Sequence, residues 1–385
     1  MNEVPDDLRS ELAVPSVTGA ERTVAVTGGG YFPTMFKMAD GSLGAVVRRG
    51  SPHVGLWSRL DWIRSSDGGR TWSAPRVIVP ASGDRDSRGS AAGQTADGTL
   101  VVGYWGCTHY RGARYDPSVG GLTPWYVLST DGGHAWSQKI PLAVRPLFTW
   151  AALYGRVVTL PDGTALMPFY GGLAGGLAAS GLLRSRDHGR SWSDCSVIRT
   201  GFNETSLLPM PDGRLLAFMR DDSGRAVGVW QTVSEDAGRT WGEPRTVTRP
   251  HQHPADVCLL ASGNVLLVYG NRIGDLAVGA VLSRDGGRIW DWDRRVVLAR
   301  HCLTLRGKTW GDCGYPSTVQ MDDGTIVTLY YRLGSDELSQ EEQERCRQYE
   351  RDEFECPPVS EDMRRFEEAV CIRCTEEEIV RAAGK

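Results

Sequence analysis

Apolar and polar residues alternate at six places along the chain, each time around a short turn that contains glycine. Five of these turns are Asp-Gly and one is Ser-Gly. A turn of this kind between alternating apolar runs is typical of a β-hairpin. The segments are ADGSLGAVV after Met38, ADGTLVVGYW after Thr95, PDGTALMPFY after Leu160, PDGRLLAFMR after Met210, ASGNVLLVYG after Leu260 and DDGTIVTLYY after Met321. Six hairpins predict six small sheets.

A second pattern, Ser-x-Asp-x-Gly with a closing tryptophan, is offset from five of these hairpins. Ser and Asp side chains can bond to backbone N–H groups within a turn, glycine supplies positive φ, and the tryptophan can cover a neighbouring apolar interior. We therefore interpret the pattern as a structural turn and not as a catalytic motif. Its copies are SSDGGRTW at Ser65–Trp72, STDGGHAW at Ser129–Trp136, SRDHGRSW at Ser185–Trp192, SEDAGRTW at Ser234–Trp241 and SRDGGRIW at Ser283–Trp290.

The two repeats together predict the fold. Self-similarity at intervals of roughly 50 to 60 residues is typical of sheets arranged around an axis. We therefore predict an all-β, six-bladed β-propeller that occupies residues 1–385 as a single domain. The tryptophan-closed turn resembles the Asp box of sialidases and of several other propeller families.

The sixth blade departs from the pattern, because no Asp box follows Tyr331. Residues 335–368 are instead rich in charged residues and Gln, which predicts a short charged helical insertion in the last blade. Its charged surface would be solvated or would dock a partner. The chain then returns in AVCIRCT, which predicts a closing strand. We expect Arg22–Thr27 to pair into the same blade and close the ring.

Composition narrows the functional classes. The net charge of −4 and the absence of long apolar runs favour neither nucleic acid nor membrane as a partner. The acidic start lacks a signal-peptide core, so a cytoplasmic location is expected.

Nine scattered cysteines predict reduced thiols. Cys371 and Cys374 would face opposite sides of a strand, so we expect no metal site there and no cofactor. Oligomeric state stays open.

Residues near the ends of the two inner strands of each blade would meet at the propeller mouth. Charged side chains that converge there are costly unless they are paired or bind a ligand. The candidates are Arg48, Arg49, Asp84, Asp86, Arg88, Tyr170, Glu204, Arg220, Asp256, Arg272, Asp312 and Tyr315.

The chain resembles sialidases beyond the Asp boxes. GYPSTVQMDDGTIVTLYY is similar to the sialidase segment that bears the nucleophile, which matches Tyr315, and NETSLLPMPDGRLLAFMR places Glu204 as the residue that activates it. A neutral phenol suits a substrate whose anomeric carbon carries a carboxylate, because an anionic nucleophile would be repelled. The resemblance also implies substrate-binding arginines at Arg48 and Arg272, with Arg220 or Arg225 as the middle arginine.

Two positions differ from the sialidase pattern. Phe32, in GYFPTMF, occupies the place of the first triad arginine. His53 stands where the family's acid/base aspartate is expected, and histidine can transfer protons near neutral pH. Asp86 is the other candidate for this role that we retain, beside Asp61 and Asp84. Arg88, Asp256 and Tyr170 complete the predicted substrate-binding set.

Three functions remain open. The first is an exo-acting glycoside hydrolase that cleaves a terminal, anionic, sialic-acid-like sugar from an oligosaccharide or glycoconjugate with the Tyr315–Glu204 pair. The second is a hydrolase or lyase of the same fold that acts on arabinan or a uronate-containing glycan, which the loss of the first arginine favours. The third is a carbohydrate-binding propeller without turnover.

Overall fold

The fold is a ring of six mainly antiparallel sheets in a computed structural model. The structure describes residues 13–51, 53–221, 228–272, 276–300, 314–333, 339–341 and 367–384. Strands of neighbouring sheets lie side by side around the axis. The prediction of an all-β, six-bladed β-propeller is confirmed.

The first three blades are given from the innermost strand outwards. Blade two adds a parallel strand at the axis, and blade three has a broken inner edge. Blade one has Gly29–Lys37, Leu43–Arg49, Arg59–Ser65 and Arg76–Val79. Blade two has Gly155–Arg156, Asp86–Gln94, Leu100–Cys107, Leu122–Ser129 and Ile140–Pro141, with an extra hairpin of Tyr110–Arg111 and Arg114–Tyr115. Blade three has Phe148–Leu153 and Val158–Thr159, then Ala165–Leu173, Ala178–Ser185 and Ser193–Thr200.

The last three blades have four strands each. Blade four has Phe202–Pro209, Leu215–Asp221, Val229–Ser234 and Arg245–Thr246. Blade five has Gln252–Leu259, Val265–Asn271, Ala277–Ser283 and Val296–Arg300. Blade six has Gly314–Gln320, Ile326–Leu333, Glu367–Cys374 and Glu21–Thr27.

The ring closes through the N-terminal strand. Glu21–Thr27 pairs antiparallel with Glu367–Cys374, with Arg22 opposite Ile372, as the sequence predicted. A C-terminal helix, Glu376–Ala383, begins at Thr375, whose side chain and that of Glu378 form a capping box. The helix buries Ile379 and Ala382 against blades five and six. The predicted insertion at 335–368 lies largely outside the described residues.

Apolar side chains fill the spaces between neighbouring blades. Six buried clusters lie between successive blade pairs, including the pair that closes the ring. Cys371 packs between blades six and one, and Cys374 packs between blades five and six. The two thiols therefore face opposite sides of their strand. Five cysteines of the described residues are free thiols, Cys107, Cys195, Cys258, Cys371 and Cys374.

Each Asp box joins the two outermost strands of its blade. In the first copy, Ser65 Oγ accepts a hydrogen bond from the Gly69 N–H at 2.8 Å, and Asp67 Oδ1 accepts one from the Thr71 N–H at 2.9 Å. The closing tryptophans pack towards a blade interface, as Trp136 does against Trp62 of blade one at a centroid distance of 5.6 Å. The turns lie at the opposite end of the blades from the ligand-sized cavity described below.

In every blade the innermost antiparallel strand contains a β-bulge near its first residues. In blade six, Gly314 pairs with Tyr331 and Ser317 pairs with Leu329, so one extra residue is inserted on the inner strand. A bulge leaves a residue outside the ladder and can re-aim its side chain. The bulged segments are Phe32–Pro33, Gly89–Ser90, Thr149, Asn203–Glu204, His253–Pro254 and Tyr315–Pro316.

Candidate active site

A cavity of about 780 Å³ opens where the innermost strands begin. Five of the six bulges contribute to its wall, so the irregular backbone at this end of the propeller supplies much of the surface. Five further tyrosine and tryptophan side chains line the cavity. The lining includes Phe32, His53, Arg88, Trp105, His109, Tyr115, Arg145, Trp150, Tyr154, Tyr170, Glu204, Arg220 and Tyr315.

Three side chains from two blades form a hydrogen-bonded group in this cavity. The Tyr315 hydroxyl donates to Glu204 Oε1 at 2.7 Å. Arg220 donates to Glu204 Oε2 at 2.9 Å and lies 3.4 Å from the Tyr315 hydroxyl oxygen. Tyr315 adopts a φ of 46°, a left-handed conformation that is strained for a bulky residue. The bulge thus holds the phenol against the carboxylate.

Burial, together with the neighbouring carboxylate, keeps the phenol protonated in the free protein. Burial and the negative charge of Glu204 raise the pKa of Tyr315 above its ordinary value. Burial alone would lower the pKa of Arg220, but the adjacent Glu204 carboxylate outweighs it and raises that pKa. The resting group is therefore a neutral phenol hydrogen-bonded to a carboxylate that a guanidinium neutralises.

Arg272 of blade five lies beside the same phenol. Its guanidinium carbon is 5.7 Å from the centre of the Tyr315 ring. His253, in the bulge of blade five, is buried next to it, and its pKa is lowered because of burial and the positive charges of Arg272 and Arg220. His253 is therefore neutral and adds no charge near these arginines.

Phe32 packs in a cluster of aromatic side chains with Tyr31, Tyr315 and Tyr331. Its ring contacts Tyr315 at a centroid distance of 4.9 Å and His53 at 4.8 Å, both edge to face. Its backbone also has a left-handed φ, of 52°. His53 lies on the loop between the second and third strands of blade one. Its contact with Phe32 places it on the side of the cavity near Tyr315.

Arg48 and Asp86 are bonded to each other beneath the cavity. Arg48 Nη2 lies 2.7 Å from Asp86 Oδ1, and the two residues are 1% and 0% exposed. Asp86 also accepts hydrogen bonds from the Gly55 N–H at 3.2 Å and the Tyr110 hydroxyl at 3.0 Å. Asp86 therefore connects blade one to the extra hairpin of blade two, and neither Asp86 nor Arg48 lines the cavity.

The other predicted positions divide between the cavity and internal ion pairs. Arg88 and Tyr170 line the cavity, and burial, reinforced by Glu204, raises the pKa of Tyr170. Asp256 is buried 3.0 Å from Arg156, which lies on the added strand of blade two, and burial raises the pKa of Asp256. Among the remaining candidates, Asp61 pairs with Arg49 and Arg59, Asp84 pairs with Arg85, and Asp312 and Arg225 lie outside the described residues.

Several cavity residues were not anticipated from the sequence. Tyr154 lies 5.8 Å from the Tyr315 ring, and its pKa is raised by burial and by Glu204. Tyr154 directly follows the strand Phe148–Leu153, in which the sequence offers no charged candidate. His253, which lies near Arg220 and Arg272 but outside the cavity lining, had a usable signal, because His253-Pro254 repeats the aromatic-proline pairs at Phe32-Pro33 and Tyr315-Pro316.

Within the part of the chain that the structure describes, no cluster of three or more His, Cys, Asp and Glu residues could hold a metal ion. The same residues contain no helix long and apolar enough to cross a membrane.

Comparisons with known proteins agree with this architecture. Residues 91–328 match the model of the BNR repeat-like domain. The chain is 25% identical over 300 residues to a sialidase of Bacteroides fragilis (strain YCH46), covering 69% of this chain and 53% of that protein. It is 26% identical over 299 residues to a sialidase of Micromonospora viridifaciens, covering 69% and 44%. The chain thus spans about half the length of the curated relatives it matches.

Solved structures share the fold at low identity. A protein of unknown function from Dyadobacter fermentans superposes with a TM-score of 0.69 at 21% identity, covering 93% of this chain and 99% of that one. The intramolecular trans-sialidase of Ruminococcus gnavus gives 0.65 at 13% identity, covering 94% and 99%. The chain belongs to the BNR repeat-like domain family and is a six-bladed propeller related to sialidases.

Proposed function

We propose that this protein is an exo-acting glycoside hydrolase that removes a terminal anionic sugar, sialic acid or a close analogue, with Tyr315 as nucleophile and Glu204 as its base. The observation that carries the proposal is the 2.7 Å hydrogen bond from the Tyr315 hydroxyl to Glu204 inside the cavity. A nucleophile in direct contact with its base is the arrangement expected for covalent catalysis.

The first step would form a glycosyl–tyrosine bond. The Tyr315 oxygen attacks the anomeric carbon while its proton passes to Glu204 Oε1. The bond from the anomeric carbon to the leaving oxygen breaks, and His53 donates a proton to that oxygen. Arg220 remains hydrogen-bonded to the other Glu204 oxygen and compensates the negative charge that the phenol oxygen develops.

The second step would release the sugar. Water attacks the anomeric carbon and gives its proton to His53, which was left neutral by the first step. The bond between the anomeric carbon and the Tyr315 oxygen breaks, and the phenol recovers its proton from Glu204 Oε1. Both steps together consume one water molecule and restore every side chain to its starting protonation state.

Of the two proton-transfer candidates, His53 has the better position. It lines the cavity and contacts the Phe32 ring, which in turn contacts Tyr315. Asp86 is 0% exposed and its oxygens are occupied by Arg48, Gly55 and Tyr110. We therefore assign Asp86 a positioning role, in which it holds Arg48 and the Tyr110 hairpin in place.

The test is turnover of a fluorogenic sialoside by the purified protein and by Tyr315→Phe. Loss of the nucleophile is expected to lower kcat by roughly 10³-fold or more without lowering the melting temperature. Tyr104→Phe is the matched control, because Tyr104 is a buried tyrosine that lines a separate groove. Tyr315→Phe with wild-type kcat would overturn the proposed mechanism.

A second candidate substrate class is supported by Phe32. The ring fills a place where sialidases that the chain resembles have an arginine, which favours a different anionic glycan such as a uronate-containing oligosaccharide. A screen of uronate and arabinan oligosaccharides for product release separates this function from the first. Release from uronate substrates with none from the sialoside would favour the second class, and binding without release from either would indicate a carbohydrate-binding propeller.

A further inference from the structure

Arg88 is held between two aromatic rings on the cavity wall. Its guanidinium carbon lies 5.7 Å from the centre of the Phe32 ring and 5.2 Å from that of Trp105. Arginine stacks on aromatic faces in this way while the edge of its planar fork stays available for hydrogen bonds. The two rings come from blades one and two, so the orientation of Arg88 is fixed by the blade interface.

The Arg88 guanidinium lacks the hydrogen bonds that such a group requires. Its Nε is buried without a hydrogen-bond partner among the described residues, and the side chain is only 12% exposed. Asp86 is its nearest carboxylate, at 3.7 Å, which is beyond hydrogen-bond distance. A buried charged donor without a partner is costly, and the side chain faces a cavity from which a ligand can supply one.

The positive charge of Arg88 is not fully balanced by the nearby carboxylate. Asp86 is already bonded to Arg48 at 3.1 and 2.7 Å, so one carboxylate serves two guanidinium groups. Across the cavity, the single carboxylate of Glu204 faces Arg220, and Arg272 lies next to the Tyr315 ring. Among these described side chains, guanidinium groups therefore outnumber carboxylates on both sides of the cavity.

We propose that Arg88 binds the carboxylate of the ligand and determines the preference of the cavity for acidic over neutral sugars. This inference rests on the proposed function for the class of ligand, a sugar acid. A carboxylate matches the planar fork with two parallel hydrogen bonds, and the flanking rings exclude water from those bonds. Phe32 acts as the platform that holds the fork in place.

The experiment measures binding at equilibrium and requires no turnover. The probes are 2-deoxy-2,3-didehydro-N-acetylneuraminic acid, galacturonic acid and glucuronic acid, each beside its neutral methyl ester. Isothermal titration gives the ratio of ester to acid dissociation constants for wild type, Arg88→Gln and Arg88→Lys. Arg70→Gln is the control, because Arg70 is exposed in an Asp-box turn at the other end of blade one.

For the acid that wild type binds, Arg88→Gln is expected to reduce the ester-to-acid ratio by about 10- to 100-fold, because a charge-assisted pair is lost. Arg88→Lys is expected to keep part of the ratio, since it retains the charge without the fork, and Arg70→Gln is expected to keep all of it. Thermal melts check that each variant is folded; Arg48 still neutralises Asp86 in all of them.

Two results would overturn the inference: an unchanged ratio in folded Arg88→Gln, or a wild-type protein that binds none of the acids more tightly than its ester. Neither result depends on catalysis. A protein that binds an acid through Arg88 without hydrolysing any glycoside would instead refute the proposed function and leave this inference standing.

Discussion

The buried Arg48–Asp86 pair offers a sharp test of how the cavity floor is supported. Asp86→Asn keeps the size of the side chain but removes its charge, so Arg48, which is 1% exposed, loses the carboxylate with which it is paired. Removing one partner of a buried ion pair costs about 3–5 kcal/mol. The hydrogen bond from Tyr110, which connects Asp86 to the extra hairpin, is weakened by the same change.

Urea denaturation followed by tryptophan fluorescence measures the effect, with an unchanged m value as the check that the unfolding transition is comparable. The double variant Arg48→Met/Asp86→Asn is expected to lose less stability than the sum of its two single variants, by roughly 0.5–3 kcal/mol, because neither charge is then left alone. If Asp86→Asn unfolded within about 1 kcal/mol of wild type, or if the two substitutions were additive, the pair would not support the cavity as described.

Two further predictions concern the catalytic base and the Asp boxes. Glu204→Gln keeps a partner for the Tyr315 hydroxyl but cannot accept its proton, so kcat on any substrate found should fall by about 10²- to 10⁴-fold; a loss below tenfold would exclude Glu204 as the base. Partial burial opposes ionisation of Asp67, but hydrogen bonds from Thr71 and Ser65 outweigh it and lower its pKa from 3.8 to about 2. Ionised Asp67 therefore stabilises the fold above about pH 4, and this stability is lost as the pH falls through about 2. Between about pH 5 and about pH 2.5, the urea midpoint of wild type should fall more steeply than that of Asp67→Asn. Parallel curves would contradict the stabilising role of ionised Asp67.

The sequence predicts the parts of this fold that local patterns specify. The Asp-Gly turns and Asp boxes each lie within about ten residues, so the hairpins and blade number follow from turn chemistry and alternation. The closing strand was predictable because Arg22–Thr27 and AVCIRCT both have strand character without another partner in sequence.

Pairings between blades were not predictable in the same way. Arg48 was predicted to bind substrate and Asp86 to transfer protons; in the structure the two side chains are bonded to each other across a blade interface. Asp256 likewise meets Arg156, which is 100 residues away in the chain. Such pairs depend on how neighbouring sheets pack, and single-sequence patterns do not record that packing. Strand position predicted that Tyr315, Glu204 and Arg220 would meet at the propeller mouth, and the family resemblance supplied their roles.

The recurring bulge has a consequence for how this cavity can change over evolution or in the laboratory. Each bulged side chain lies outside the regular ladder, so strand pairing places little constraint on its chemical identity. The first bulged position holds phenylalanine, glycine, threonine, asparagine, histidine or tyrosine in the six blades. New specificities are therefore accessible by exchanging residues at these positions, while the scaffold that presents them is inherited unchanged.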